Sequence, residues 1–209
     1  LRESELRYDG QTSYGPPSGR GLVTQRIEST RWQSESNVST SFAYDGYGNL
    51  TSTTNARAAT TTITYEAAFR AFRSAVTNPL GHTRVITYGS HPACAALGIA
   101  STPAGAGLPA TETGPNDTYY GLERLHCYDA FGRPLVDRMN RTSNNTEHSG
   151  RLITYVDTPG AASVTISDLV DPSGRRSSTT SLDALGRPVS TTSDGPGGAQ
   201  IVRTLERDF

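Results

Sequence analysis

The chain is predicted to be all-β, a run of antiparallel hairpins, and three observations predict it. One short pattern, aromatic or aliphatic, Asp, two residues, Gly, Arg and aliphatic, returns along the chain; self-similarity of this kind defines architecture before any other signal. Only 34% of the 209 residues are hydrophobic, while Ser and Thr abound and Gly (21) and Pro (12) are frequent, a balance that favours strands and turns over helices. The turn residues Asp171, Asp183 and Asp194 lie 12 and 11 positions apart, a spacing suited to short antiparallel strands.

The repeat reads Tyr128-Asp129-Ala130-Phe131-Gly132-Arg133-Pro134-Leu135 and again Tyr44-Asp45-Gly46-Tyr47-Gly48-Asn49-Leu50 and Leu182-Asp183-Ala184-Leu185-Gly186-Arg187-Pro188-Val189. Looser versions are Thr77-Asn78-Pro79-Leu80-Gly81-His82, with Asn for Asp, and Val170-Asp171-Pro172-Ser173-Gly174-Arg175. Asp at the first turn position can accept a hydrogen bond from the backbone N–H two residues on. A type I turn that leads into a residue of positive φ needs the Gly that follows three residues later, and such a turn joins antiparallel strands with the correct twist. Each unit is therefore a hairpin corner, with the aromatic before Asp and the aliphatic after Arg packed across the two strands, such pairs contributing about 0.2–1 kcal/mol each.

In chain order, residues 1–38 carry Tyr8-Asp9-Gly10, a turn-rich stretch from Tyr14 to Gly19 and a mixed stretch from Val23 to Trp32, read as two short strands. Ser39 to Tyr44 and Leu50 to Thr54 flank the first corner, and Thr60 to Tyr65 has the β-branched density of a strand. Glu66 to Arg73 has local helix propensity but is predicted extended, because strands bracket it. Residues 89–119, rich in Pro, Gly and Ala, are predicted to be a long loop or insertion. Strands follow at 122–127, 152–156, 164–169, 177–182, 189–192 and 201–205, separated by turns at Asp129, Asp157, Asp171, Asp183 and Asp194. Leu1 is not a methionine and Glu206 to Phe209 reads as a strand entering another turn, so the 209 residues are expected to be one repeat region cut from a longer polypeptide.

The Tyr-Asp pairs at 44–45 and 128–129, together with Thr64-Tyr65-Glu66, Phe69, Phe72, Val76 to His82 and Thr87-Tyr88, resemble the RHS/YD-repeat family, in particular the shell region of toxin-complex B components and related bacterial RHS toxins. The resemblance implies that the hairpins form a curved, spiralling sheet, a structural wall segment of a shell that encloses a toxic C-terminal cargo. The implied partners are the remaining RHS segments of the same polypeptide, the encapsulated toxin domain and other toxin-complex components. A secreted or cell-surface location is implied as well. The family often closes its repeats with a self-cleaving Asp-Pro-x-Gly-Leu motif; Arg175 stands where that Leu would be, so the stretch from Asp171 is read as a repeat corner. The alternative is a secreted or surface adhesion module that binds carbohydrate or protein through its loops, with 89–119 as the contact.

Other classes fit less well. A net charge of −1, spread evenly, offers no basic face to nucleic acid, and no apolar run approaches the roughly 20 residues that span a bilayer. His91-x-x-Cys94 and His126-Cys127 could be assembled on paper into a zinc site, but their spacing matches no compact finger, so no metal and no cofactor are assigned. Cys127 or a serine with His82 or His126 lacks any nucleophile-elbow context, and the Asp residues are read as turn formers, not as hydrolytic carboxylate pairs; no enzymatic activity is expected. Cys94 and Cys127 are either two free thiols or a single bridge. Sequons start at Asn37, Asn49, Asn116, Asn140 and Asn144 and matter only in a glycosylating pathway.

Overall fold

The computed structural model describes residues 2–30, 37–99, 107–144, 147–171, 174–195 and 199–205. Trp32, Pro103, Gly105, Pro172, Ser173 and residues 206–209, on which parts of the reading above fall, lie outside them. The chain is all-β and divides into two units, residues 1–86 and 87–209. In the first, β1 (Arg2–Tyr8), β2 (Val23–Thr30), β3 (Val38–Tyr44), β4 (Leu50–Thr54), β5 (Thr60–Tyr65), β6 (Arg73–Thr77) and β7 (Thr83–Tyr88, which crosses the boundary) each pair antiparallel with the next. The second opens with α1 (Pro92–Ala96), β8 (Pro109–Thr113) and α2 (Pro115–Tyr120). Then come β9 (Leu122–Tyr128), β10 (Pro134–Arg141), β11 (Glu147–Val156), β12 (Ser163–Asp171), β13 (Gly174–Leu182), β14 (Pro188–Asp194) and β15 (Gln200–Thr204). From β8 on, these too form a meander in which sequence neighbours are sheet neighbours.

Few side chains are buried, and the strands are tied to one another by polar ladders instead. Hydroxyls meet across strands at Thr54–Thr60 (2.8 Å), Thr77–Thr83 (2.8 Å), Thr165–Thr179 (2.9 Å) and Ser167–Ser177 (2.9 Å). Cross-strand pairs of this type each contribute a fraction of a kcal/mol, which accounts for the Ser and Thr excess. In the second unit charges alternate from strand to strand. Glu112 faces Arg124, Arg124 grips Asp137 with two bonds (2.7 and 3.0 Å), and Asp137 faces Arg151. Arg151 in turn grips Asp168 (2.7 and 3.2 Å), which faces Arg176. Isolated exposed ion pairs stabilise little, but in this ladder each charge sits between opposite neighbours, which also disfavours a register slip.

The one cluster of buried apolar side chains among the described residues lies in the second unit, where Ala93 and Cys94 of α1 cover Leu125, Cys127 and Val136. A helix of one turn is far too short to persist alone. A disulfide between Cys94 and Cys127, 33 positions apart, fastens α1 to β9. On the chain-entropy account a loop of that length is worth about 4 kcal/mol. His91 caps α1, its Nδ1 accepting from the Ala93 N–H (3.2 Å).

Several segments depart from expectation. Within 89–119, predicted to be a long loop or insertion, the described residues carry α1, β8 and most of α2; Pro92 and Pro115 each open a helix, where their missing N–H costs nothing. Residues 66–72 are neither extended nor helical but fold into turns around the Glu66 carboxylate, which accepts from the N–H groups of Phe69 (2.8 Å) and Ala71 (3.1 Å), and only Arg73 is extended, as the first residue of β6. Strands β8 and β10 carry no clear signal in the sequence, since Pro, charged residues and Asn interrupt them. At Asp171 and Gly174 the described residues depart from the expected corner. Asp171 and Gly174 are strand partners and Gly174 has no positive φ, so only two residues connect β12 to β13. A bulge at Leu135 sets Pro134, not Leu135, opposite Tyr128.

At Gly150, φ is 150°, and a Cβ there would stand 2.2 Å from the Arg138 Cβ and 2.3 Å from its Cα on the facing strand. No rotamer change moves a Cα. Gly150→Ala is therefore expected to destabilise by about 3 kcal/mol or more, read as a lower urea midpoint at unchanged slope.

Candidate functional site

The recurring feature is a five-residue corner with one geometry. At Asp45, Asn55, Asn78, Asp129 and Asp183 the backbone N–H of the first residue donates to the carbonyl of the fifth, and the N–H of the fourth donates to the carbonyl of the first, at 2.9–3.1 Å. The side-chain Oδ1 of the first residue accepts two further N–H groups, from the third and fifth residues. The fourth residue has positive φ: Gly48 (91°), Gly81 (80°), Gly132 (80°) and Gly186 (74°), and Ala58 (59°) at the Asn55 corner, which the sequence pattern does not reveal because it lacks the Gly. One side chain thus satisfies the donors that a tight reversal leaves over. Glu66 does the same in a longer loop, and Asp9 in a longer one still, through the N–H groups of Gly19, Gly21 and Leu22.

In a meander alternate corners fall on the same edge, and the two edges of the first unit differ. One carries Tyr8-Asp9, Tyr44-Asp45 and Tyr65-Glu66; the other carries Thr54-Asn55 and Thr77-Asn78, each closed by a Thr–Thr hydroxyl pair. On the acidic edge each corner binds the next. The Tyr44 hydroxyl donates to the Val23 carbonyl (2.8 Å) and Tyr65 to that of Leu50 (3.0 Å), the residues that leave the preceding corners. Arg20 donates to the Gly46 carbonyl (2.8 Å), Asn49 to that of Arg70 (2.6 Å), and the Arg70 guanidinium bonds the Tyr47 hydroxyl (2.7 Å) and covers its ring. In the second unit Arg133 bonds Asp129 in its own corner (2.6 Å) and both carboxylate oxygens of Asp157 in the next corner on that edge (2.8 Å each), and it lies 4.2 Å from the Tyr155 ring centre. Arg187 bonds Asp183 of its own corner (2.7 Å).

These contacts hold the carboxylates ionised. The Asn49 amide and N–H keep the Asp45 carboxyl below its ordinary value, the Arg187 N–H and guanidinium do so for Asp183, and the Arg133 guanidinium for Asp157. Burial pulls Asp129 upward, but the Arg133 N–H and guanidinium and the Phe131 N–H outweigh it. A general acid needs the opposite, a carboxyl held protonated near neutrality.

The other side chains singled out in the sequence are engaged elsewhere. Cys94 and Cys127 are bonded to each other, which removes both thiols from a zinc site and Cys127 from nucleophilic attack. Among the described residues no group of three or more His, Cys, Asp or Glu is arranged to hold a metal. His91 lies 3.7 Å from Glu123, His126 lies 3.7 Å from Asp137 and stacks on Tyr128, and the His82 Nδ1 lies 3.4 Å from the Asn78 amide nitrogen. Of the sequon asparagines, Asn140 is fully buried and Asn49 is bound to Asp45 and Arg70, whereas Asn37, Asn116 and Asn144 are exposed. An open groove of about 450 Å³, lined by Leu97, Ile99, Leu135, Leu152 and Tyr155, runs beside the Asp129–Arg133 pair.

Two measurements follow from the corner. Gly132→Ala is expected to destabilise by about 1 kcal/mol, since Ala fits φ of 80° poorly, and Ala58→Gly to stabilise by up to about 1 kcal/mol; equilibrium unfolding reads both. Because the corner carboxyls titrate below their unfolded value of about 4, their contribution is complete above that pH and lost as pH falls through the folded values. The melting temperature should be level from neutrality to about pH 5 and drop below about pH 4. Asp129→Asn, which keeps the accepting oxygen as Asn55 and Asn78 do, should keep the fold and make that drop shallower.

No protein-family model matches the sequence, and no curated protein does. Solved structures match in fold. A TccC3 mutant of the Photorhabdus luminescens Tc holotoxin pore aligns with TM-score 0.54 and 15% identity over 82% of this chain and 8% of that one. The TcdB2-TccC3 crystal structure aligns with TM-score 0.54 and 15% identity over 82% of this chain and 9% of that one. The same pair without its hypervariable C-terminal region gives TM-score 0.54 and 15% identity over 82% and 8%. The chain therefore spans less than a tenth of the length of these toxin chains, and what it shares with them is an antiparallel all-β fold.

Proposed function

We propose that this chain is a wall segment of an RHS-type shell that encloses a toxic C-terminal cargo, with a structural role and no catalytic one. The observation that carries the reading is the edge-laced meander: corners along one edge of the first unit, and those at Asp129 and Asp157 in the second, are each bound to the next, so the sheet gains stability from nearest neighbours and can be extended without a larger core. The fold likeness to Tc toxin structures over 82% of this chain and 8% of theirs supports a part of a larger wall. The partners are then the remaining repeats of the same polypeptide, the enclosed domain and other toxin-complex components. The Cys94–Cys127 disulfide supports a secreted or surface location, where such bonds persist. Among the described residues no helix is long and apolar enough to cross a membrane.

One observation favours the adhesion alternative. Tyr119 and Tyr120 of α2 are 83% and 67% exposed and meet edge to face at 5.0 Å, the kind of aromatic surface that binding modules present. Electron cryomicroscopy of the whole polypeptide that contains this segment separates the two. Residues 1–209 within a continuous wall around internal density, with a C-terminal region that resists protease, is the result expected. A free-standing module whose glycan-array signal disappears in Tyr119→Ala and Tyr120→Ala would overturn the wall in favour of adhesion.

A further inference from the structure

Residues 91–99, which include α1, keep their backbone hydrogen bonds to themselves. The N–H of Ala93 donates to the His91 ring and that of Cys94 to the His91 carbonyl. Those of Leu97 and Ile99 donate to the Cys94 carbonyl and that of Gly98 to the Ala95 carbonyl, at 2.9–3.0 Å. What fastens the segment to the sheet is of another kind: the disulfide from Cys94 to Cys127, and the apolar contact of Ala93 and Cys94 with Leu125, Cys127 and Val136. The His91 ring adds only a 3.7 Å approach to Glu123, beyond hydrogen-bond distance.

The sheet beneath is complete without that segment. β9 pairs with β8 on one side and β10 on the other, and β10 with β11, through ladders that do not pass through residues 91–99. Lifting the segment therefore breaks no ladder bond, and a part of a fold held in this way opens at less cost than the whole. It would uncover Leu125, Cys127 and Val136, which are 0%, 2% and 1% exposed. It would also take Leu97 and Ile99 out of the groove, leaving Leu135, Leu152 and Tyr155 beside the uncovered residues in one open apolar surface.

We propose that residues 91–99 are a redox-controlled cover, closed while Cys94 and Cys127 are bonded and opened by a dithiol reductant. The dithiol gives up two electrons and two protons and closes its own disulfide, and Cys94 and Cys127 each become a thiol. A one-turn helix does not persist without its tether, so the segment leaves the sheet and the apolar surface is exposed. Both cysteines are buried, so the attacking thiolate reaches the bond only in passing openings of the cover. The bond lasts in an oxidising space and is lost in a reducing one, which makes the surface available in the second and not in the first. The proposal concerns the second unit by itself and does not depend on the shell reading.

Hydrogen exchange read by mass spectrometry, before and after dithiothreitol, tests the cover. Thiol titration should find no free thiol in the untreated 209-residue chain and both cysteines free after reduction. Peptides that cover residues 91–99 should then exchange about tenfold faster or more, while those of β9 and β10 keep their protection. Emission of the apolar dye ANS should rise in parallel, and reoxidation should reverse both changes. Cys94→Ala combined with Cys127→Ala should exchange like the reduced chain with or without dithiothreitol, which separates loss of the bond from any effect of the reagent. Unchanged exchange across 91–99 in the fully reduced chain overturns the proposal. So does loss of protection in β9 and β10 together with 91–99, since the bond would then hold the unit and not a cover, and so do free thiols in the untreated chain.

Discussion

A side-chain oxygen that accepts two backbone N–H groups is the contact on which the remainder of this chain rests. At five corners an Asp or Asn occupies the first position, and its Oδ1 collects the donors that a one-residue bulge would otherwise leave without partners. With the corner fixed in this way, the register of the two strands that leave it is fixed as well, because a bulge at a set place admits no slip. The hydroxyl pairs and the charge ladder depend on that register: Thr54 meets Thr60 and Thr77 meets Thr83 only because each pair flanks a corner of constant length. Long-range order is thus built by repeating a local event.

This arrangement explains how a chain with so few buried apolar residues holds a sheet. Stability is distributed over many weak, neighbouring contacts, and the exception is the patch where α1 lies over Leu125, Cys127 and Val136. There the sheet carries a covering segment that no corner positions, and a covalent bond does the positioning. The same patch borders the apolar groove beside Arg133, so the least repetitive part of the chain is also the part with a distinct surface.

What could be read in advance follows the same division. The spacing of Asp and Gly in one line of sequence coincides with the corner at 45–48, 129–132 and 183–186, and Asn with Gly at 78–81, because the chemistry of the reversal is entirely local. The corner at Asn55 escapes because Ala58 adopts positive φ without being Gly, and that at Glu66 because a longer side chain spans a longer loop. Asp171 shows the converse: spacing alone does not make a corner when the strands run on to Asp171 and Gly174. The Cys94–Cys127 pairing, the capping role of His91 and the strand at β8 depend on segments far apart in sequence, and no local pattern contains them.

The unlike edges of the first unit constrain how such a chain can change length. Tyr-Asp and Tyr-Glu corners hold hands with one another along one edge, whereas Thr-Asn corners close on themselves along the other. Insertion or loss of a single strand would transfer every later corner to the other edge and part the tyrosine at the junction from its carbonyl. Gain or loss of two strands together keeps both edges in phase. Duplication and deletion in a lineage of such chains should accordingly proceed by whole hairpins, and chain length should carry a parity that selection enforces.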